Sequence, residues 1–191
     1  MKEIRIAEIR AAEPTADGAQ ALILRGRPIL YDTPTVITDE GGSYTEIIER
    51  GALDGADLSD VRLLYNHNLD KVPLARTPKT MSLTVDEKGL TFEAVLPETA
   101  AAREVYEAVK RGDLSGMSFA FTVPEGGDYY TAITNTRTIR QIAKVFECSV
   151  VPYPAYPTTS IEARSARAAA QESQEKRQQA KILVNQILKV R

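Results

Sequence analysis

The stretch MSLTVDEKGLTFEAVL, residues 81–96, constrains the fold more than any other part of the chain. Met81, Leu83 and Val85 alternate with polar residues, Glu87-Lys88-Gly89 supplies a turn, and Leu90, Phe92, Ala94 and Leu96 follow. Period-two alternation on both sides of a glycine turn predicts a β-hairpin with one buried face. Similar runs recur. Residues 2–10 alternate around Ile4 and Ile6, and VRLLYNH at 61–67 predicts a further strand. Residues 116–123 and 137–151 predict two more, the last ended by the prolines of PYPAYP. ALILRGRPILYD, residues 21–32, predicts a strand interrupted at Gly26 and Pro28, as a bulge or barrel corner requires. TPTVITDEGGS reads as a loop, YTEIIERGALDG as a short strand running into a turn, and Gly126-Gly127 as part of another loop.

One segment of the body has helical periodicity. In residues 97–112, Ala102, Val105, Tyr106 and Val109 form one stripe. Thr99 is a candidate N-cap, Lys110 and Arg111 suit the negative end of the helix dipole, and Gly112 suits the C′ position. Many short strands with one or two helices predict an α+β domain built on a barrel or sandwich, here taken as residues 1–160.

The composition changes after that. Residues 161–191 lack Gly and Pro, are rich in Ala, Gln, Glu, Lys and Arg, and gather strong apolar residues near the end, among them Ile182, Leu183, Ile187, Leu188 and Val190. This polar, basic extension reads either as a helix whose last turns seek a partner or as a solvated tail.

The charge balance and two rare residues narrow the chemistry. A formal net charge of −2 over 191 residues gives no basic excess for nucleic acid. MKEIRIAEIR has no apolar run of the signal-peptide kind, and no stretch reaches the ~18 apolar residues of a membrane helix. The single cysteine, Cys148, leaves no intramolecular disulfide and suits a reducing compartment. The single histidine, His67, removes zinc patterns that need two. No phosphate loop, dinucleotide fingerprint or metal motif is present, so no cofactor is expected.

Three stretches place polar residues of catalytic type in apolar settings: LLYNHNLD, GMSFAF and FECSVV. In the second, Met117, Phe119 and Phe121 share one face, so Ser118 lies on the other with Ala120. It is an ordinary strand hydroxyl or a nucleophile in need of a base. His67 is the natural base, or simply a surface or core residue. Its parity matches Val61, Leu63 and Tyr65, so it points inward unless the strand ends before it, as the loop-like NHNLD suggests. Glu147 and Ser149 share the face opposite Phe146, Cys148 and Val150. Glu147 is then a cross-strand ion-pair partner or the acid that holds the imidazole. If both strands lie in one sheet, Ser118 and Glu147 reach the same surface. Cys148 reads as a small core hydrophobe rather than a thiol nucleophile, and Ser115 as a turn residue.

In order, the stretches EIIERGAL, VRLLYNHN, PLART, DEKGLTFEAVLPET, VYEAVKRGDLSGMSFAF and FECSVVPYPAYP resemble the prohead maturation proteases of tailed bacteriophages. The resemblance covers roughly residues 20 to 164. Its most specific pieces are Asn66-His67, RGDLSGMSF at 111–119 and SVVPYPAYPTT at 149–159. It implies a serine endopeptidase with a fold like the herpesvirus assemblins, an α+β, mainly antiparallel closed β-barrel flanked by helices. It implies Ser118 as nucleophile and His67 as general base. Assemblins have a second histidine as third member; this chain has none, and Glu147 stands at about the expected interval. Oxyanion donors would come from backbone amides near Pro152–Ala155 or from Arg76. The implied substrates are scaffold and capsid precursor proteins, and the chain itself, inside the immature capsid in the host bacterial cytoplasm. Self-association is also implied, with no nucleic-acid or membrane partner. The alternative is a protein that keeps the fold without activity and serves capsid assembly.

Overall fold

The computed structural model describes residues 2–3, 8–11, 21–39 and 42–152. In chain order the strands are β1 Lys2–Glu3, β2 Glu8–Ala11, β3 Leu22–Leu30, β4 Thr35–Asp39, β5 Gly42–Ile48, β6 Arg62–Tyr65, β7 Ala75–Arg76, β8 Met81–Asp86 and β9 Gly89–Leu96. The helix α1, Ala100–Arg111, follows, and then β10 Gly116–Thr122, β11 Asp128–Thr131, β12 Thr136–Ile139 and β13 Lys144–Val151. They form three sheets, in the orders β1-β10-β13-β6-β7, β11-β12-β5-β4 and β2-β3-β9-β8.

The architecture corrects the expectation of an α+β closed barrel ringed by helices. Among the described residues the fold is mostly β, with a single helix, and each sheet is open, with its own edge strands. The reason is physical. Alternation reports that one face of a strand is buried; it does not report which strand closes the hydrogen-bond ladder. Here the sheets meet through side chains. Leu24 and Ile29 of β3, Phe92 of β9, Met117, Phe119 and Phe121 of β10, and Cys148 and Val150 of β13 belong to one contiguous core. The Phe119 and Phe121 rings stack at 5.0 Å, and burial of each stabilises the fold by ~1.5–3 kcal/mol.

The expected hairpin forms as β8–β9, with Val85 opposite Leu90 and Asp86 opposite Gly89, so Gly89 opens β9 and the turn is Glu87-Lys88. The β3–β9 ladder shifts between Gly26 and Ile29, so the Gly26/Pro28 interruption is a bulge. The helix also follows its sequence. Thr99 Oγ1 accepts from the Ala102 amide, Gly112 closes the C-terminus at φ 84°, and the buried stripe is Ala102, Val105, Tyr106 and Val109.

Four local expectations need correction. Residues 2–10 are not one strand: β1 pairs with β10 and β2 with β3, in different sheets. The expected loop at 33–43 contains β4, which forms a hairpin with β5. Gly126-Gly127 form a turn as expected, but the loop expected between residues 123 and 137 also contains the whole of β11. Residues 137–151 are two strands. β12 runs parallel to β5 in one sheet, whereas β13 lies between β10 and β6 in another. The segment between them is held by tertiary hydrogen bonds, with Gln141 N–H donating to Gly127 O and Ile142 N–H to Ala52 O. The 161–191 extension, and all of PYPAYP beyond Pro152, lie outside the described residues.

Candidate active site

β10 and β13 are antiparallel neighbours in the middle of their sheet. Ser118 stands directly opposite Ser149, and Ala120 opposite Glu147. Paired residues project to the same face, so Ser118, Ser149 and Glu147 share one surface while Phe119 and Cys148 face the core. Both β10 faces are buried, and Ser118 is fully so.

The ladder shifts between Ala120 and Phe121, with Glu147 opposite Ala120 and Val145 opposite Phe121. Phe146 is the extra residue of a bulge. This corrects its expected place in the core beside Cys148: Val145 takes the core position, and Phe146 is 40% exposed beneath the Lys144 ammonium. One inserted residue reverses the alternation on one side of it.

His67 arrives from β6, which runs parallel to β13 with Leu64 beside Ser149 and Tyr65 beside Val150. The strand stops at Tyr65. Asn66 and His67 both take left-handed backbone conformations, φ 51° and 56°, and the Asn68 amide donates to Tyr65 O at 3.1 Å. Positive φ at both central residues of a hydrogen-bonded four-residue turn is the type I′ pattern. Such a conformation costs ~1–2 kcal/mol per non-glycine residue, less for asparagine, and tends to persist where a site needs it. Here it turns the imidazole off the inward course its strand parity dictates and onto the Ser118 face. The Asn66 amide anchors the turn by donating to Val150 O at 2.8 Å.

On that face His67 Nδ1 and Glu147 Oε1 are 2.5 Å apart. A carboxylate only accepts, so the proton between them belongs to Nδ1 and Nε2 is the basic nitrogen. The other oxygen, Glu147 Oε2, accepts from the Ser149 hydroxyl. Ser149 Oγ in turn accepts from the His67 backbone amide at 3.2 Å. Side-chain exposure is only 14% for His67 and 3% for Glu147, so these charge-assisted bonds act in a poorly solvated setting.

The structure thus joins His67 and Glu147 directly and sets Ser118 one strand over, on the same face. Ser149 had no role assigned from sequence. Its signal was parity, since it alternates with Glu147 in FECSV. Cys148 is fully buried on the opposite face, and burial together with the Glu147 charge pushes its thiol well above the ordinary range. It stays a neutral core thiol. Arg76 is committed to Asp60, with Nε donating to Oδ1 at 2.6 Å. No group of metal-ligating side chains occurs among the described residues.

A cavity of about 720 Å³ adjoins the His67 turn through Tyr65 and Asn68, and Leu74, Ala102, Val105 and Leu114 are among its lining residues. Its lining is mostly apolar, and none of His67, Ser118, Glu147 or Ser149 is part of it.

A serine, a histidine and a carboxylate are the residue types from which serine hydrolase sites are built. The chain belongs to the caudovirus prohead serine protease family, whose family model matches residues 7–175. It is therefore grouped with serine proteases of phage prohead maturation. No curated protein and no solved structure matches it. No helix among the described residues is long and apolar enough to cross a membrane.

Proposed function

We propose that this chain is a serine endopeptidase with Ser118 as nucleophile, His67 as general base and Glu147 as the carboxylate that orients the imidazole. The observation that carries this reading is the 2.5 Å contact between Glu147 and His67 on the face that also bears Ser118. Glu147 holds Nδ1–H, so His67 Nε2 takes the Ser118 proton as Oγ bonds to a peptide carbonyl carbon. The tetrahedral intermediate collapses when His67 returns that proton to the leaving amine. Water, deprotonated by the same nitrogen, then releases the acyl group. The apolar cavity beside the His67 turn receives a side chain of the bound peptide.

The substrates are the scaffold and capsid precursor proteins of the immature shell, within which the enzyme works, and the chain itself. Exposed Leu69 and Val72, beside the site, offer a surface for self-association.

The test is intact mass against time for the purified chain, beside Ser118→Ala and His67→Ala, alone and with its capsid precursor. Fragments of chain or precursor in the parent sample only are the expected result. If the parent and both variants leave chain and precursor whole, the enzyme reading fails and an inactive capsid-assembly protein takes its place.

A further inference from the structure

Two serines face each other across β10 and β13, and either could be the nucleophile by position alone. The hydrogen bonds of Ser149 give it a role of its own. The Ser149 proton is committed to Glu147 Oε2, and its oxygen already accepts from the His67 amide. A hydroxyl engaged in both senses has neither a proton to give to Nε2 nor a free approach to a carbonyl. We infer that Ser149 is a positioning residue that locks the His67–Glu147 pair. This rests on the protease reading above.

The lock is a closed ring. It runs from the His67 amide to Ser149 Oγ, on to the Glu147 carboxylate, and back to His67 Nδ1. His67 is held at both its backbone and its ring. That matters because its left-handed conformation is costly and would relax without support. Glu147 is held at both oxygens, so its carboxylate cannot rotate away from Nδ1. Substitution by alanine removes one donor and one acceptor at once and leaves both partners buried.

The probe is a fluorophosphonate, which reports an activated serine without a known cleavage site. Serine Oγ bonds to phosphorus, fluoride leaves, and the serine proton passes to the base. Intact mass and peptide mapping follow the label on the full chain. Labelling of Ser118 is expected in the parent and absent in Ser118→Ala. Ser149→Ala should label Ser118 ~10- to 100-fold more slowly, the factor carried by a lost hydrogen bond to a charged group. Ser149→Thr, which keeps the hydroxyl, should recover most of that rate. In a Ser118→Ala background, the low-field proton resonance of the His67–Glu147 bond should shift or broaden when Ser149 becomes alanine.

Equal labelling rates in the parent and Ser149→Ala, or an unmoved resonance, would overturn the positioning role while leaving the protease reading intact. So would losses in Ser149→Ala and Ser149→Thr that simply track their melting temperatures. A label mapped to Ser149 would reverse the two roles. An unlabelled parent would overturn both readings.

Discussion

Glu147 carries its charge at a site where an isolated carboxylate would cost several kcal/mol. Its burial is tolerable because both oxygens accept charge-assisted hydrogen bonds, from His67 and Ser149. Glu147→Gln keeps the shape and removes the charge. An amide presents either its oxygen or its NH2 to Nδ1, and the second choice leaves the basic lone pair on the wrong nitrogen. The expected loss is ~10²–10⁴-fold in kcat, with the melting temperature little changed, read from cleavage of the capsid precursor. Cys148 gives the complementary prediction. Its buried, neutral thiol should resist iodoacetamide in the folded chain and react once the chain is unfolded, as intact mass would show. Parity made the shared face of Ser118 and Glu147 legible in the sequence. The aim of His67 was not, because strand parity fails once Asn66 and His67 enter left-handed space, and nothing in YNHN requires that. Phe146 was misplaced for a similar reason: a bulge is set by the partner strand, not by the residues that flank it.

At the scale of elements, the bulge in β3 and the turn of the β8–β9 hairpin are one unit. Tyr31 N–H donates to Lys88 O, and the displaced Ile29 backbone lies against Gly89. A Cβ at Gly89 would sit 2.0 Å from Ile29 O, at a backbone φ of +133°. Neither the clash nor the strain can be relieved by a side-chain rotation. Gly89→Ala should therefore cost more than about 2 kcal/mol, measured by urea denaturation. Gly55 is the control. It is also at positive φ, but a Cβ there would meet nothing within 4 Å, and its alanine variant should lose less. The RGRP interruption and the α1 caps were legible because glycine, proline and threonine act locally there. The break between β12 and β13 was not. RQIA contains no turn residue, and the chain changes sheets because Gly127 and Ala52, remote in sequence, accept its amides.

Over the whole molecule, the hydrophobic pattern told which faces are buried but not that three sheets would stay open. Closure depends on which strands find each other, and that is decided by packing across sequence-distant segments. Ion pairs reinforce the strands within these sheets and the loop that leads into β6. Arg27 of β3 forms a two-armed pair with Asp86 at the end of β8, at 2.6 and 2.7 Å. Lys144 of β13 binds Asp57, and Arg76 of β7 binds Asp60. Their partner cations hold all three carboxyls below the ordinary carboxylate range, led in each case by the side-chain hydrogen bond to Arg27, Lys144 or Arg76. A carboxyl with a depressed folded value adds stability that is fully present above its unfolded value, ~3.9, and disappears as pH falls through the folded one. The melting temperature should therefore hold from neutral pH down to about pH 5 and fall progressively below about pH 4, by a modest amount for each pair because all three carboxyls are exposed to solvent. Asp86→Asn makes the cause visible. It should melt below the parent at neutral pH and converge on it in strong acid, where Asp86 is protonated in both folded and unfolded chains. Parallel curves, offset by the same amount at every pH, would mean that the Arg27–Asp86 pair contributes shape rather than charge.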